Sequence, residues 1–329
     1  MDLSVIIPAF NEREALPGLV AEIDSACSGL GLEWETIVVD DGSTDGTFDC
    51  VAELAEGNHR LGVIRLRRNF GKSAALAAGF DVTRGAKVIT IDGDGQDDPA
   101  DIPRLLEALE SDSDLVSGWK SDRQDPFTRR IASKIFNWFT ARVTGVKLHD
   151  MNCGFKAYRG ECARSIEVYG EMHRFLPAFA AQQGWRVSEI PVNHRPRLHG
   201  SSRFGLERYR RGALDLLTVA FLGRYRNRPL HLFGLLGIGL GFLGFVICLY
   251  LSIIWIGGEP IGSRPLLFLG VLMIVVGVQL FSLGLIGQML VAGRRAGVSE
   301  ERALIEKVVS PAIDPGLDLS RLEEAGTGR

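Results

Sequence analysis

Two stretches near the carboxyl end, Pro229 to Ile256 and Pro265 to Val291, contain no Asp, Glu, Lys or Arg. A bilayer core takes about 20 apolar residues in a helix, and both runs exceed that. Burying two such helices in a soluble core would need a large surrounding domain, and too little chain follows them to supply it. The intervening loop, Gly257 to Arg264, is short, whereas Arg224, Arg226 and Arg228 precede the first run and Arg294 and Arg295 follow the second. The positive-inside rule then puts both termini in the cytosol. The expectation is a two-helix transmembrane hairpin over 229–291 (helices 229–256 and 265–291), without the buried charges that a transport path needs.

Ahead of the hairpin the pattern alternates. Strand-like runs at Leu3–Pro8, Glu35–Asp40, Gly62–Leu66, Ala86–Ile91 and Leu115–Gly118 flank helical periodicity over Glu12–Ser28, Asp45–Glu56, Lys72–Val82 and Pro99–Leu109. Such alternation predicts an α/β domain over 1–204, a parallel sheet with helices on both faces. Ligands on these sheets bind beyond the carboxyl ends of the strands. Residues 119–205 are less regular, with an amphipathic helix expected at Arg129–Thr144 and a strand at Trp185–Val192. Region 205–228 sets Arg208, Arg210 and Arg211 against Leu214, Leu217 and Phe221, which suits an interfacial helix at headgroup level. The tail, 292–329, is expected in the cytosol, with one short helix after Gly297 and then polar, loose chain. A strand-like run beginning at Leu3 leaves no room for a leader peptide, so the α/β domain is expected in the cytosol too. The net charge of −3 argues against a general nucleic-acid binder. The five scattered cysteines form no C-x-x-C pair and are read as reduced thiols.

The chemistry gathers at strand ends. Ile91-Asp92-Gly93-Asp94-Gly95-Gln96 delivers two carboxylates one residue apart, with glycines that permit a tight turn. Asp94 and Gln96 are assigned to a hard divalent cation, Mg²⁺ or Mn²⁺, and Asp92 to the nucleotide side. Such a cation can hold a diphosphate. At Pro8-Ala-Phe-Asn-Glu12, Phe10 and Glu12 could flank a base or ribose, while Asn11 could equally cap the first helix. Asp41, in Asp40-Asp41-Gly42-Ser43, could accept from a base edge or cap its own turn. The run His194 to Arg203 carries Arg195, Arg197 and Arg203, whose forks suit phosphate oxygens, although charge runs are commonly solvated faces. Asp150, in His149-Asp150-Met151-Asn152-Cys153-Gly154-Phe155, could steer or deprotonate an acceptor, or cap a turn.

Six ordered stretches, 6–12, 38–47, 69–80, 91–99, 150–156 and 194–204, together resemble the inverting family 2 glycosyltransferases of the GT-A (Rossmann-like) fold. The likeness is to the dolichol-phosphate mannose synthase and polyprenyl-phosphate glycosyltransferase branch. The resemblance implies that Pro8, Phe10, Glu12, Val39 and Asp41 contact the nucleoside, and that Asp92 and Gly93 lie beside ribose and diphosphate. It implies that Asp94 and Gln96 ligate the metal, that Lys120 lies near phosphate, and that Arg197 and Arg203 meet the phosphates. Phe10, Gly93 and Arg203 stand where tyrosine, alanine and lysine are common. The implied reaction moves a hexose from a UDP- or GDP-sugar to a polyprenyl phosphate, with inversion. Asp94, Asp150, Arg197 and Arg203 are its catalytic candidates, and a homo-oligomer is possible. One rival is a processive family 2 polysaccharide synthase, which would need more spans and usually a Gln-x-x-Arg-Trp motif. The other is a non-catalytic nucleotide-binding membrane scaffold.

Overall fold

A computed structural model describes residues 1–120, 140–142, 145–168, 170, 172–196, 229–262, 265–293 and 305–309. The expected helix at Arg129–Thr144 is helical where described, at 140–142; most of it, Arg197, Arg203 and the whole of 205–228 lie outside the described residues.

The first apolar run becomes β1 (Leu3–Ala9), and it is buried almost throughout, which makes it the centre of the sheet. Strands β2 (Trp34–Asp40), β3 (Leu61–Leu66) and β4 (Lys87–Thr90) run parallel to it, in the spatial order β4-β1-β2-β3. Both faces of these strands are apolar because both are covered. On one face Leu3, Val5 and Ile7 pack with α1 (Leu16–Ser28), α2 (Thr47–Gly57) and α4 (Ile102–Asp112). On the other, Ile6, Ile37, Val39 and Ile64 pack with α3 (Lys72–Val82) and with the segment that includes Phe175 and Phe179. The alternation read from the sequence is therefore present, with helices on both faces.

Three features differ from the expectation. Helix α1 starts at Leu16, not near Glu12, with Pro17 in its first turn. Proline lacks an N–H and clashes with the carbonyl four residues back, so a helix containing it begins close by. Asn11 is therefore not its cap: it sits at φ +57°, its N–H donates to Ser43 Oγ at 2.8 Å and its Oδ1 accepts from Thr44 N at 2.9 Å. The end of β1 is thus tied to the turn after β2.

Second, the sheet is mixed. A short strand, β6 (Lys156–Arg159), lies antiparallel between β4 and β5 (Leu115–Lys120), and β7 (Val187–Val192) pairs parallel with β5. Between β6 and β7 come α5 (Gly160–Ser165), a 3₁₀ turn at Met172–Phe175 and α6 (Leu176–Gln182). Four residues reading Lys-Ala-Tyr-Arg carry too little alternation to announce a strand. Third, the tail contributes β8 (Ile305–Val309), antiparallel to β3, where a helix was expected. Without β8, β3 would leave a row of backbone donors and acceptors unpaired, and added strands satisfy such edges.

Two units divide the chain: Met1–Val219 with Ser299–Arg329, and Ala220–Val298. The second unit contains the expected hairpin, α7 (Pro229–Ile256) and α8 (Pro265–Gly293), with mean hydropathy of 2.5 and 2.6 in their most apolar windows. The helices meet along a glycine seam. A Cβ built on Gly277 would lie 2.6 Å from Gly237 O and 2.7 Å from Gly241 N. Backbone atoms cannot swing aside as a side-chain tip can, so Gly277→Val is expected to pry the hairpin apart. Overpacking of this kind costs about 1–3 kcal/mol. A lowered melting temperature in detergent, beside a smaller effect of Ala at exposed Val278, is the measurement.

Candidate active site

The order β4-β1-β2 brings the carboxyl ends of three parallel strands to one edge, and each end carries part of the site. Pro8 lies near the end of β1 and Phe10 and Glu12 follow it, all three half-buried; Asp41 follows β2, and Asp92 to Gln96 follow β4.

Asp92 is the electrostatic centre. Its carboxylate is ion-paired with Lys72, the first residue of α3, and both side chains are 30% exposed. Desolvation pushes the Asp92 carboxyl up, but Lys72, Lys120 and Lys156 outweigh it and hold the group below the ordinary carboxylate range. Lys156 lies in β6 opposite Thr90, is 2% exposed, and has its pKa lowered by burial and by neighbouring Lys72.

Gly154 explains why the 150–156 loop needs a glycine. A Cβ there would fall 2.2 Å from Asp92 Oδ1 and 2.5 Å from its Cγ, so the loop backbone lies directly against the carboxylate. Thr90 Oγ1 donates to Gly154 O at 2.8 Å and holds the loop in place.

Asp94 and Gln96 are half-buried, and Gln96 N donates to Asp94 Oδ1 at 3.2 Å. Gln96 Nε2 donates to Arg195 O at 3.4 Å, and the amide oxygen is the atom of this side chain suited to a metal. One carboxylate and one amide oxygen fit a hard divalent cation that takes its other ligands from substrate and water. Among the described residues no three His, Cys, Asp or Glu side chains form a metal centre.

Other expected contacts are placed differently. Asp41 is buried, with Oδ1 accepting from Phe70 N at 2.7 Å and Oδ2 from Gly71 N at 2.8 Å. Burial holds its pKa above the ordinary carboxylate value despite the opposing pull of those two amides. Its carboxylate thus organises the loop that presents Lys72. Val39 is fully buried in the core beneath α3, so its side chain offers a nucleoside no surface. Gly93 is buried against Pro8 O. Asp150 is 4% exposed, which suits a role in shaping the loop better than proton transfer with a substrate. Arg195 is spanned between Glu22 at 2.6 Å and Asp98 at 2.7 Å, a structural brace.

Lys120 does not reach into an open phosphate site: it is 9% exposed and ion-paired with fully buried Asp97 at 2.7 Å. His194 Nδ1 stands 3.7 Å from the same carboxylate oxygen. Desolvation raises Asp97, yet His194 and Lys120 together hold it below its ordinary range. Desolvation lowers Lys120, yet Asp97 holds it above its ordinary range. Asp97 therefore adds stability that is present above its unfolded pKa of about 3.9 and lost as pH falls through the lower folded value. Lys120 adds stability that is present below its unfolded pKa of about 10.4 and lost as pH rises through the higher folded value. Lys120→Met strands a buried carboxylate and is expected to cost about 3–5 kcal/mol. Its acid-unfolding midpoint, followed by circular dichroism, is expected to move to higher pH.

Two residues that sequence reasoning passed over adjoin the cleft. His173 N–H donates to Ser73 Oγ at 3.0 Å, and that hydroxyl lies 3.1 Å from His173 Nδ1. Burial, then Lys72 and Arg174, push the imidazole down to about 3, so the ring is neutral throughout the physiological range. Lys72 itself stood in plain view after Asn69-Phe70-Gly71, but only the fold sets it on Asp92. The buried thiols Cys27, Cys153 and Cys162 are each pushed up to about 12, chiefly by desolvation, which makes them poor nucleophiles.

Comparison with known proteins adds an independent line. The model of the family described as Glycosyl transferase family 2 matches residues 4–166. The chain is 42% identical over 296 residues to a dodecaprenyl-phosphate galacturonate synthase of Rhizobium johnstonii, covering 88% of each chain. It is 34% identical over 318 residues to an undecaprenyl-phosphate 4-deoxy-4-formamido-L-arabinose transferase of Aeromonas hydrophila, covering 95% of each. Among solved structures, mannosyl-3-phosphoglycerate synthase from Rubrobacter xylanophilus aligns with a TM-score of 0.52 at 19% identity, covering 69% of this chain and 75% of that one, a likeness of fold.

Proposed function

Because this chain belongs to glycosyl transferase family 2 and is a membrane-associated glycosyltransferase, we propose that it transfers a sugar from a UDP- or GDP-sugar to a polyprenyl phosphate. The observation that carries this reading is the union in one chain of the Asp92–Gln96 turn at the end of β4 with the α7–α8 hairpin. The first suits a nucleoside diphosphate, and the second suits an acceptor that lives in a bilayer.

A phosphate monoester is mostly ionised near neutral pH, with a second pKa of about 6, so the acceptor oxygen needs no base to attack the anomeric carbon. One displacement inverts that centre. The bond from the anomeric carbon to the donor's diphosphate oxygen breaks, and the electron pair leaves with the nucleoside diphosphate. Asp94 and Gln96 would hold Mg²⁺ or Mn²⁺, which when bound supplies charge neutralisation to that leaving group. Lys72, kept in place by Asp92, adds a fixed cation beside the same strand end. Pro8, Phe10 and Glu12 would border the nucleoside, and Arg197 and Arg203 would meet phosphate oxygens. The arginines flanking the hairpin support cytosolic placement of the catalytic domain and both termini.

The test is to incubate membranes containing the protein with polyprenyl phosphate, Mg²⁺ or Mn²⁺ and a panel of nucleotide sugars. The panel includes hexoses, a hexuronate and a pentose, because the two relatives are named for different sugars. Mass spectrometry of the lipid fraction is expected to show one sugar added to polyprenyl phosphate. Long polysaccharide would instead favour a synthase, and no product from any donor would favour a scaffold.

A further inference from the structure

Gln279 stands in α8 on the side turned away from α7. The seam that meets α7 runs through Gly270, Ile274, Gly277, Phe281 and Gly284. Gln279 is two residues from both Gly277 and Phe281, which at roughly 100° per residue places it on the opposite side of the helix. It is exposed, among Leu272, Val275, Leu283 and Ile286, all of them also exposed. A rise of about 1.5 Å per residue sets it about 21 Å from Pro265 and about 17 Å from Leu290, near the centre of a bilayer core.

A primary amide at that depth has two donor hydrogens and a carbonyl acceptor, and hydrocarbon offers neither partner nor water. Gln279 makes no hydrogen bond among the described residues. Ser282, one turn on, can bond a carbonyl of its own helix and needs no outside partner.

We propose that the α8 face centred on Gln279 is an interface with a second copy of this chain. The two Gln279 amides would exchange hydrogen bonds across a two-fold axis. A second copy is the occupant this chemistry selects. An amide is complementary to itself, so one patch meeting the same patch satisfies both donor and acceptor. The surrounding aliphatic side chains supply packing and no competing polar group. The depth excludes a lipid headgroup. The inference takes α7 and α8 as membrane spans and does not depend on the sugar transferred.

The experiment uses the full-length protein in its membranes. Gln279→Cys with a mild oxidant is expected to give a covalent dimer. The wild-type chain and Ile238→Cys, exposed on α7, are expected to give no covalent dimer under the same oxidant. In reconstituted bilayers, Gln279→Leu is expected to weaken dimerisation by about 3- to 30-fold, the span measured for interhelical hydrogen bonds in membranes. Gln279→Asn is expected to recover part of that loss. A wild-type chain that remains monomeric at every protein-to-lipid ratio would overturn the interface, as would Gln279→Cys cross-linking solely to a different protein. Release of the protein by alkaline carbonate would overturn the membrane spans, and the interface with them.

Discussion

Asp94→Ala is expected to lose metal-dependent sugar transfer while keeping its fold. Asp94 is half-buried in a turn beyond the last residue of β4, outside the sheet and the apolar core, and accepts from Gln96 N at 3.2 Å. Removing it leaves the strands and both apolar clusters intact, so the melting temperature should change little. Its value lies in the charge that develops on the departing diphosphate. A bound cation supplies several kcal/mol there. At about 1.4 kcal/mol per tenfold, that corresponds to a rate loss on the order of 10³. The measurement is transfer rate against Mg²⁺ or Mn²⁺ concentration. A variant that works at the wild-type rate removes Asp94 from the metal site. One that regains activity at high metal concentration shows weakened binding and keeps the assignment.

Gly154→Ala is the second large effect, and it acts through Asp92. The added methyl would start 2.2 Å from Asp92 Oδ1. Either the loop lifts or the carboxylate turns away from Lys72. The overpacking costs about 1–3 kcal/mol. Loss of a supporting partner around such a site typically lowers activity by about 10–100-fold. A double mutant distinguishes this from general damage. Asp92→Ala removes the atoms that the methyl would strike, so Gly154→Ala is expected to cost almost no further stability in that background. Two residues in contact are expected to be non-additive in this way. Full additivity of the two melting-temperature losses would show that Gly154 acts elsewhere.

The elements that were legible in the chain share one property: their signal is local. A buried strand such as Ile6-Ile7 or Ile37-Val38-Val39 is apolar because both sides of its own backbone are covered, and α7 and α8 are charge-free along their own length. Lys156–Arg159 was missed because a four-residue strand with charged ends looks like a loop, and Ile305–Val309 because it follows polar chain. The site was half legible for the same reason. Asp92, Asp94 and Gln96 advertise themselves within a few residues of each other. Lys72 and Gly154 do not, because the first lies 20 positions before Asp92 and the second 62 positions after it.

Periodicity and charge along the chain were enough to determine an α/β sheet with its chemistry at the carboxyl ends of the strands, and a separate apolar hairpin. Tertiary structure alone decided which charges meet. Placing β6 between β4 and β5, and the first residue of α3 beside the turn after β4, pairs Asp92 with Lys72 and lays Gly154 on it, while Asp97 and Lys120 become a buried pair. The physical reason is range. Burial is read residue by residue along a backbone, whereas an ion pair exists only once the strands that carry its two partners have been set side by side.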